Sequence, residues 1–538
     1  MTATMATTTT TVDSLRSVSP SSECSAATGT TATTTATEPP EAIMRLNSSI
    51  LSSLAEKGVS VPTFDRSKIR PGILHVGVGN FHRAHMAAYV NDMMTADFEA
   101  AKSWGIIGCG TMPKFDQPKR DLLQEQEWLQ TVVVADSVHH KAQVLGCMTD
   151  FLPIDTVSIE KSLQNPDIRI VSMTVTEGGY FLKDGQFDLD HDMVQHDIAN
   201  PDSPKTIFGV LCKAARYRKD HGLPLFTVLS CDNIPHNGNV ARKAVISLAK
   251  AQDENFADWV FNNVGFPNSM VDRITPATTD DQKQFIKTNY GYEDAQPIFC
   301  EPWRQWILED TFSSPGGKPP LDMLENVKFV PDVTPYEFMK LRILNGGHAS
   351  LCYPSAVLDI DFVHDSMAHP TISAFLDVLE RNEIIPTVPP VPDIELKEYW
   401  DTISIRFSNP TLRDKIGRNC YDGLSRQPQF ITPAIRDNLK AGRPVDGMAL
   451  VSAMWSRYCQ GTTESGEDIL PNDPQWDRLQ ELALKAKADP SVWLENLPEV
   501  YGSDIDPVFE KAFGESLREV NEKGVEEAMK SYIRRFEQ

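Results

Sequence analysis

At 538 residues, 41% hydrophobic and 23% charged, the chain has the composition of a globular protein large enough for two or three domains. Its formal net charge of −23 excludes nucleic acid or an anionic membrane surface as the main partner, because either polyanion would be repelled. No apolar run approaches the roughly 18 residues that a membrane-spanning helix needs, so no membrane association is expected.

In chain order, residues 1–45 are rich in Thr, Ser and Ala, and over the first 42 of them the single basic side chain is Arg16, against Asp13, Glu23, Glu38 and Glu41. That stretch lacks the apolar core of a secretion signal and the arginines of a mitochondrial presequence, and it reads as a disordered tail. A cytoplasmic location follows as the expectation, with organellar targeting left open by the Ser/Thr richness. The nine cysteines, none in a Cys-x-x-Cys pair, read as reduced thiols in a reducing compartment. His82 with His85 and His139 with His140 lack the acidic or thiol partners of a metal site, and no metal is expected.

Residues 46–329 read as a dinucleotide-binding domain. A short apolar strand from Gly72 to Val76 enters Gly77, Val78 and Gly79, and a helix follows through Tyr89. Glycines at that turn allow a pyrophosphate to approach unpaired N–H groups at a helix start. His82 replaces the third glycine of the Gly-x-Gly-x-x-Gly pattern. The candidate cofactor contacts are Gly77, Gly79, Asn80, Phe81, His82 and Arg83. A second strand at Trp104–Met112 leads into Thr111–Lys119, where Asp116 suits a ribose 2′-hydroxyl and Lys114 and Lys119 suit a 2′-phosphate; NAD and NADP both stay open.

Further strand-like runs at Leu129–Val134, Gln143–Cys147, Ile168–Thr176 and Leu225–Ser230 alternate with helical patterns at Thr156–Gln164, Ser203–Lys219 and Asn239–Val264. Near-continuous apolar strands in such an alternation predict an α/β fold with a doubly wound parallel sheet. Ligands bind at the carboxyl ends of such strands, where Glu177 and Asn233 stand.

Residues 330–538 are dominated by helical patterns and read as a mostly α-helical second domain. Its first helix begins at Pro335 and places Phe338, Leu341 and Leu344 at helical spacing. At ~100° per residue, Lys340, Asn345 and His348 fall at 0°, about 140° and about 80° on one broad face. A base, an amide and an imidazole thus share that face.

Together these motifs resemble the polyol-specific long-chain dehydrogenase family over roughly residues 46–538. Six segments occur in that family's order: His75–His85, Thr174–Tyr180, Ser230–Asn233, Val271–Arg273, Glu301–Trp306 and the Lys340…Asn345…His348 helix. The resemblance implies hydride transfer between a polyol and a nicotinamide cofactor, with D-mannitol and D-fructose as the expected pair, and a monomer. It implies Lys340 as catalytic base, Asn233 and Asn345 as amides holding the alkoxide, and His348 positioning the reacting hydroxyl. Arg418 and Asp272 are implied substrate contacts, and Glu337 and Glu177 an implied proton relay.

A free lysine, with a pKa near 10.4, must be brought down toward neutrality to act as that base; desolvation works in this direction, and nearby carboxylates oppose it. Two amide donors on an oxyanion are worth about 3–4 kcal/mol each. Gly346-Gly347, the Thr111–Lys119 segment and the Thr-rich extension depart from the family pattern. Three rival readings stand beside this one. A hexuronate reductase acting on fructuronate or tagaturonate would want more basic groups than Arg418. A short-chain dehydrogenase using Tyr336 with Lys340 is opposed by the distance of the pair from Gly77. A non-catalytic nucleotide sensor would have no use for the base, amides and imidazole.

Overall fold

The computed structural model describes residues 44–183, 185–313 and 316–537, and the predicted alternation of strands and helices runs through its first half. Strand β1 (Pro71–Val76) leads through Gly77–Gly79 into α1 (Asn80–Ala84) and α2 (Met86–Ala96), and then to β2 (Gly105–Cys109) and α3 (Pro113–Glu125). After β3 (Gln130–Ala135), β4 (His140–Leu145) and β5 (Met148–Phe151) come α4 (Thr156–Leu163), β6 (Ile170–Met173), α5 (Ile207–Asp220) and β7 (Thr227–Ser230). Helix α6 (Asn237–Gln252) precedes α7 (Glu254–Asn263), β8 (Ser269–Asp272), β9 (Ile298–Cys300), β10 (Gln305–Glu309) and β11 (Val327–Val330).

The central sheet is five-stranded and all parallel, in the order β7-β6-β1-β2-β5. Side chains alternate across it: Ile73 and Ile170 enter one apolar core, Leu74 and Val171 the other. Burial on both faces explains why these strands read as continuous apolar runs. With β2 on one side of β1 and β6 on the other, the chain reverses direction across the sheet at the carboxyl end of β1, where doubly wound sheets bind ligands.

Two details differ from the sequence reading. The predicted strands at Leu129–Val134 and Gln143–Cys147 fall in β3 and β4, outside the central sheet; β3 pairs with β9 in parallel and with β4 in antiparallel in a separate three-stranded sheet. The single helix expected over Asn239–Val264 is two, α6 and α7. Asp253 between them is extended, and its side chain accepts from Phe256 N to start the second helix.

From Thr334 onward the chain is helical. Helix α8 (Thr334–Met339) runs into a π-helical segment, Lys340–Asn345, and on into α9 (Gly346–Val357). Helix α9 is buried on nearly every side, at the centre of the largest apolar core. Around it pack, among others, α10 (Pro370–Leu379), α11 (Leu396–Phe407), α12 (Ile416–Cys420), α13 (Gly423–Phe430) and α14 (Asp446–Cys459). No helix among the described residues is long and apolar enough to cross a membrane.

Candidate active site

At the end of β1, Gly77 has φ +90°, and a Cβ there would overlap the Thr174 carbonyl oxygen beyond β6. The Thr174 hydroxyl donates to Gly77 O at 2.7 Å, so this turn admits only glycine. Over Gly79, by contrast, a Cβ would approach nothing among the described residues closer than Gly77 O at 3.9 Å. His82 is buried with its ring stacked on His75, centroids 3.4 Å apart, and neither His82 nitrogen has a partner among the described residues. Burial, with the neighbouring charges of Arg83 and Lys119, holds the His82 pKa well below its usual value. An open glycine, unpartnered imidazole nitrogens and two nearby cations fit the pyrophosphate of a dinucleotide.

The other predicted cofactor residues build this cradle. Arg83 is fully buried; it donates to Gln296 O at 2.6 Å and Asn80 Oδ1 at 2.8 Å, fastening α1 to the segment before β9. Phe81 stacks on His85 with centroids 4.9 Å apart. Asp116 is tucked under Gly110 and accepts from Met112 N at 3.0 Å, which buries it. Lys114 is exposed, whereas Lys119 is half-buried.

Lys340 opens the π segment and is only 6% exposed. Hydrogen bonds in this segment run from residue i to i+5, which widens the turn beyond the 3.6 residues of an α-helix. Asn345 therefore stands nearer to Lys340 around the axis than the ~140° that the regular helix assumed from sequence would give. The Lys340 ammonium donates to Asn233 Oδ1, from the loop after β7. Burial lowers its pKa from 10.5 to about 8; Arg406 adds to the lowering, while Asp272 and Glu337 oppose it. Asn345 is buried, and its Oδ1 has no partner among the described residues.

Glu337, one turn before Lys340, lines the same water-sized cavity as Lys340, Asn233 and Asp232. Burial raises its pKa to about 7, and the His236 backbone N–H, 3.1 Å from its Oε1, works against that rise. Asp232 accepts from Val175 N, Thr176 N and the Tyr180 hydroxyl, which ties the loop after β6 to the loop after β7. Glu177 lies in that first loop, and its side chain is outside the described residues.

Asp272, at the end of β8, is held by Arg406 of α11 through two bonds of 2.8 and 2.9 Å and by Trp303 Nε1 at 2.9 Å. Arg406 also grips Glu301 at 2.7 and 2.8 Å, and all three charged groups are buried. Burial opposes ionisation of Asp272, but Arg406 outweighs it and keeps the carboxylate charged beside Lys340. Further along the cleft, the His348 ring stacks on Phe407 at 4.0 Å, with Nε2 3.8 Å from Asp414 Oδ2. Asp414 is engaged bidentately by Arg418, at 2.9 and 2.7 Å.

The structure thus gathers Lys340, Asn233, Asn345, Glu337, Asp272 and His348 at the junction of sheet and helices, with Arg418 beside His348. Arg406, Asp414 and His236 were missed from sequence. Arg406 had left one signal: it stands between Ile403 and Phe407 on the apolar stripe of α11, an unusual place for a charge. The His236 backbone, in the left-handed region at φ +51°, had none.

A doubly wound nucleotide-binding sheet with a buried lysine, an amide and an imidazole at the carboxyl ends of its strands is the site of a dehydrogenase-class protein. Residues 71–322 match the Mannitol dehydrogenase Rossmann domain, and residues 332–520 match the Mannitol dehydrogenase C-terminal domain. The chain belongs to the mannitol dehydrogenase family. A mannitol 2-dehydrogenase from Cereibacter sphaeroides is 46% identical over 481 residues, covering 89% of this chain and 99% of that protein. Among solved structures, Pseudomonas fluorescens mannitol 2-dehydrogenase, in ternary complex with NAD and D-mannitol, matches with TM-score 0.83 and 37% identity over 91% of this chain and all of that one. A substrate-free D-sorbitol dehydrogenase matches with TM-score 0.81 and 35% identity over 90% of this chain and 100% of the other.

Proposed function

We propose that this chain is an NAD-dependent polyol dehydrogenase that interconverts D-mannitol and D-fructose, with Lys340 as general acid and base. The observation that carries the reading is the buried Lys340 ammonium, bonded to Asn233 in a π turn with Asn345 and lowered to a pKa of about 8. An amine so placed is poised to accept a hydroxyl proton near neutral pH. Asn233 and Asn345 orient the carbinol oxygen, and their side-chain N–H groups stabilise the charge that develops on it. His348, neutral by burial, positions the reacting hydroxyl, and Glu337 passes the proton onward. Gly77, Gly79 and the start of α1 hold the cofactor, which when bound accepts the hydride from the carbinol carbon. Asp272 contributes through its charge, which keeps Lys340 from losing its proton affinity altogether.

The pairing of Arg418 with Asp414 favours a neutral polyol over a hexuronate, because the guanidinium that would meet a substrate carboxylate is already neutralised. The reading assigns residues 46–329 to the cofactor and 330–538 to substrate and catalysis, in line with the change from strands to helices after Val330. It also takes the protein as a cytoplasmic monomer. The eight described cysteines, all buried and free, suit a reducing compartment, and gel filtration with light scattering tests the monomer.

The decisive assay follows reduced-nicotinamide absorbance with D-fructose, using NADH and NADPH separately, beside a Lys340→Ala control, D-fructuronate as rival ketone, and D-mannitol and D-sorbitol with the oxidised cofactor. Turnover of fructose that the control loses supports the reading; turnover of the uronate far above that of fructose overturns the substrate.

A further inference from the structure

We propose that His236 is the outer member of the proton path, taking the proton from Glu337 and delivering it to bulk water. This rests on the dehydrogenase reading above and extends it from Lys340 to the surface. Three contacts join the two residues: the His236 backbone N–H lies 3.1 and 3.3 Å from the two Glu337 oxygens, and His236 Nδ1 lies 3.4 Å from Glu337 Oε2. The Glu337 side chain is 6% exposed and that of His236 is 43% exposed, so the imidazole spans from a dry carboxyl to solvent.

The backbone supports the same assignment. His236 sits at φ +51°, a conformation that side-chain-bearing residues adopt sparingly. That conformation presents its N–H to Glu337 immediately before α6, and turns a loop residue into a fixed partner of the catalytic helix 101 positions away.

The charged groups around the path are few. Glu337 faces His236, Lys340, Glu309 and Asp332, with Asp232 on the wall of the shared cavity. His236 faces Glu337 and Asp332. Burial lifts Glu337 to about 7, so near neutral pH it can both take a proton from the Lys340 ammonium and give it up to the ring nitrogen beside it.

The balance closes over one turnover. On polyol oxidation the hydroxyl proton goes to the Lys340 amine while the hydride leaves with the cofactor. The ammonium returns to the amine by protonating the Glu337 carboxylate. The carboxylic acid protonates His236 Nδ1, the imidazolium releases one proton to water from Nε2, and the solvent-exposed ring regains its starting tautomer by proton exchange with water before the next turnover. Ketone reduction runs the path in reverse.

Two variants separate this role from a merely structural one. His236→Asn tolerates the left-handed backbone and keeps the N–H that holds Glu337 while removing the ring. His236→Gly also tolerates it and leaves room for added imidazole. Expected for both is a fall of about tenfold in kcat for mannitol oxidation near neutral pH, with KM unchanged and a larger solvent isotope effect. The loss should shrink as pH rises and hydroxide takes the proton directly, and imidazole in the buffer should restore His236→Gly. Unchanged kcat, or a fall that neither imidazole nor alkaline pH reverses, overturns the relay while leaving the polyol reading intact. A wild-type chain that turns over neither mannitol nor fructose removes both.

Discussion

Replacing Lys340 by Met should destroy activity and stabilise the protein. The folded chain holds this ammonium at a pKa of about 8 against 10.5 for the free group, which corresponds to about 3 kcal/mol of unfavourable burial at ~1.4 kcal/mol per pH unit. Methionine fills nearly the same volume without the charge. It forfeits the bond to Asn233, a loss of about 1 kcal/mol softened because Asn233 is exposed and water takes over. The net gain at pH 7 is therefore about 2 kcal/mol, while loss of a general base lowers kcat about 10²–10⁴-fold.

The pH dependence gives the sharper test. Between about 8 and 10.5 the folded lysine has lost its proton and the unfolded one still carries it, so the unfolded state binds more protons and wild-type stability rises with pH. The Met variant lacks this contribution, and its advantage should close across that window. Urea midpoints for both proteins from pH 7 to 10.5 measure the gap, and in parallel kcat/KM for mannitol oxidation should rise with pH through about 8. A variant less stable than wild type at pH 7 with a gap that does not change, or a rate inflection near 10.5, would refute the reasoning.

Arg406→Met leaves Asp272 and Glu301 as unpaired buried carboxylates and should destabilise the chain by about 3–5 kcal/mol, read from urea midpoints. Asp414→Asn releases the Arg418 guanidinium; the ratio of kcat/KM for D-fructuronate over D-fructose should rise about tenfold, and an unchanged ratio would show that the pair does not screen charge. Gly77→Ala forces a Cβ onto the Thr174 carbonyl at a positive φ, and NADH fluorescence titration should show nicotinamide binding lost or greatly weakened.

Much of the local structure was legible in the chain. The apolar run before Gly77, the Gly-x-Gly turn and the helical spacing around Lys340 each follow from residues a few positions apart, because side-chain period and turn chemistry are local properties. The eight described cysteines, scattered along the sequence, are all buried; Cys24 lies outside the described residues. Less legible was the π register of Lys340–Asn345. Nothing in that segment, free of Gly and Pro, marks the change from i+4 to i+5 bonding, which shows only in the finished helix.

What the sequence by itself determined was which elements form and which chemical groups the catalytic helix carries. The tertiary structure alone decided what those groups meet. Arg406 finds Asp272 and Glu301 across 134 and 105 positions, and Glu337 finds His236 across 101. The depressed pKa of Lys340 comes from burial and from charges on other elements, so it exists only once sheet and helices have closed around it. Pattern along a chain encodes its own period; the electrostatic environment of a side chain belongs to its neighbours in space.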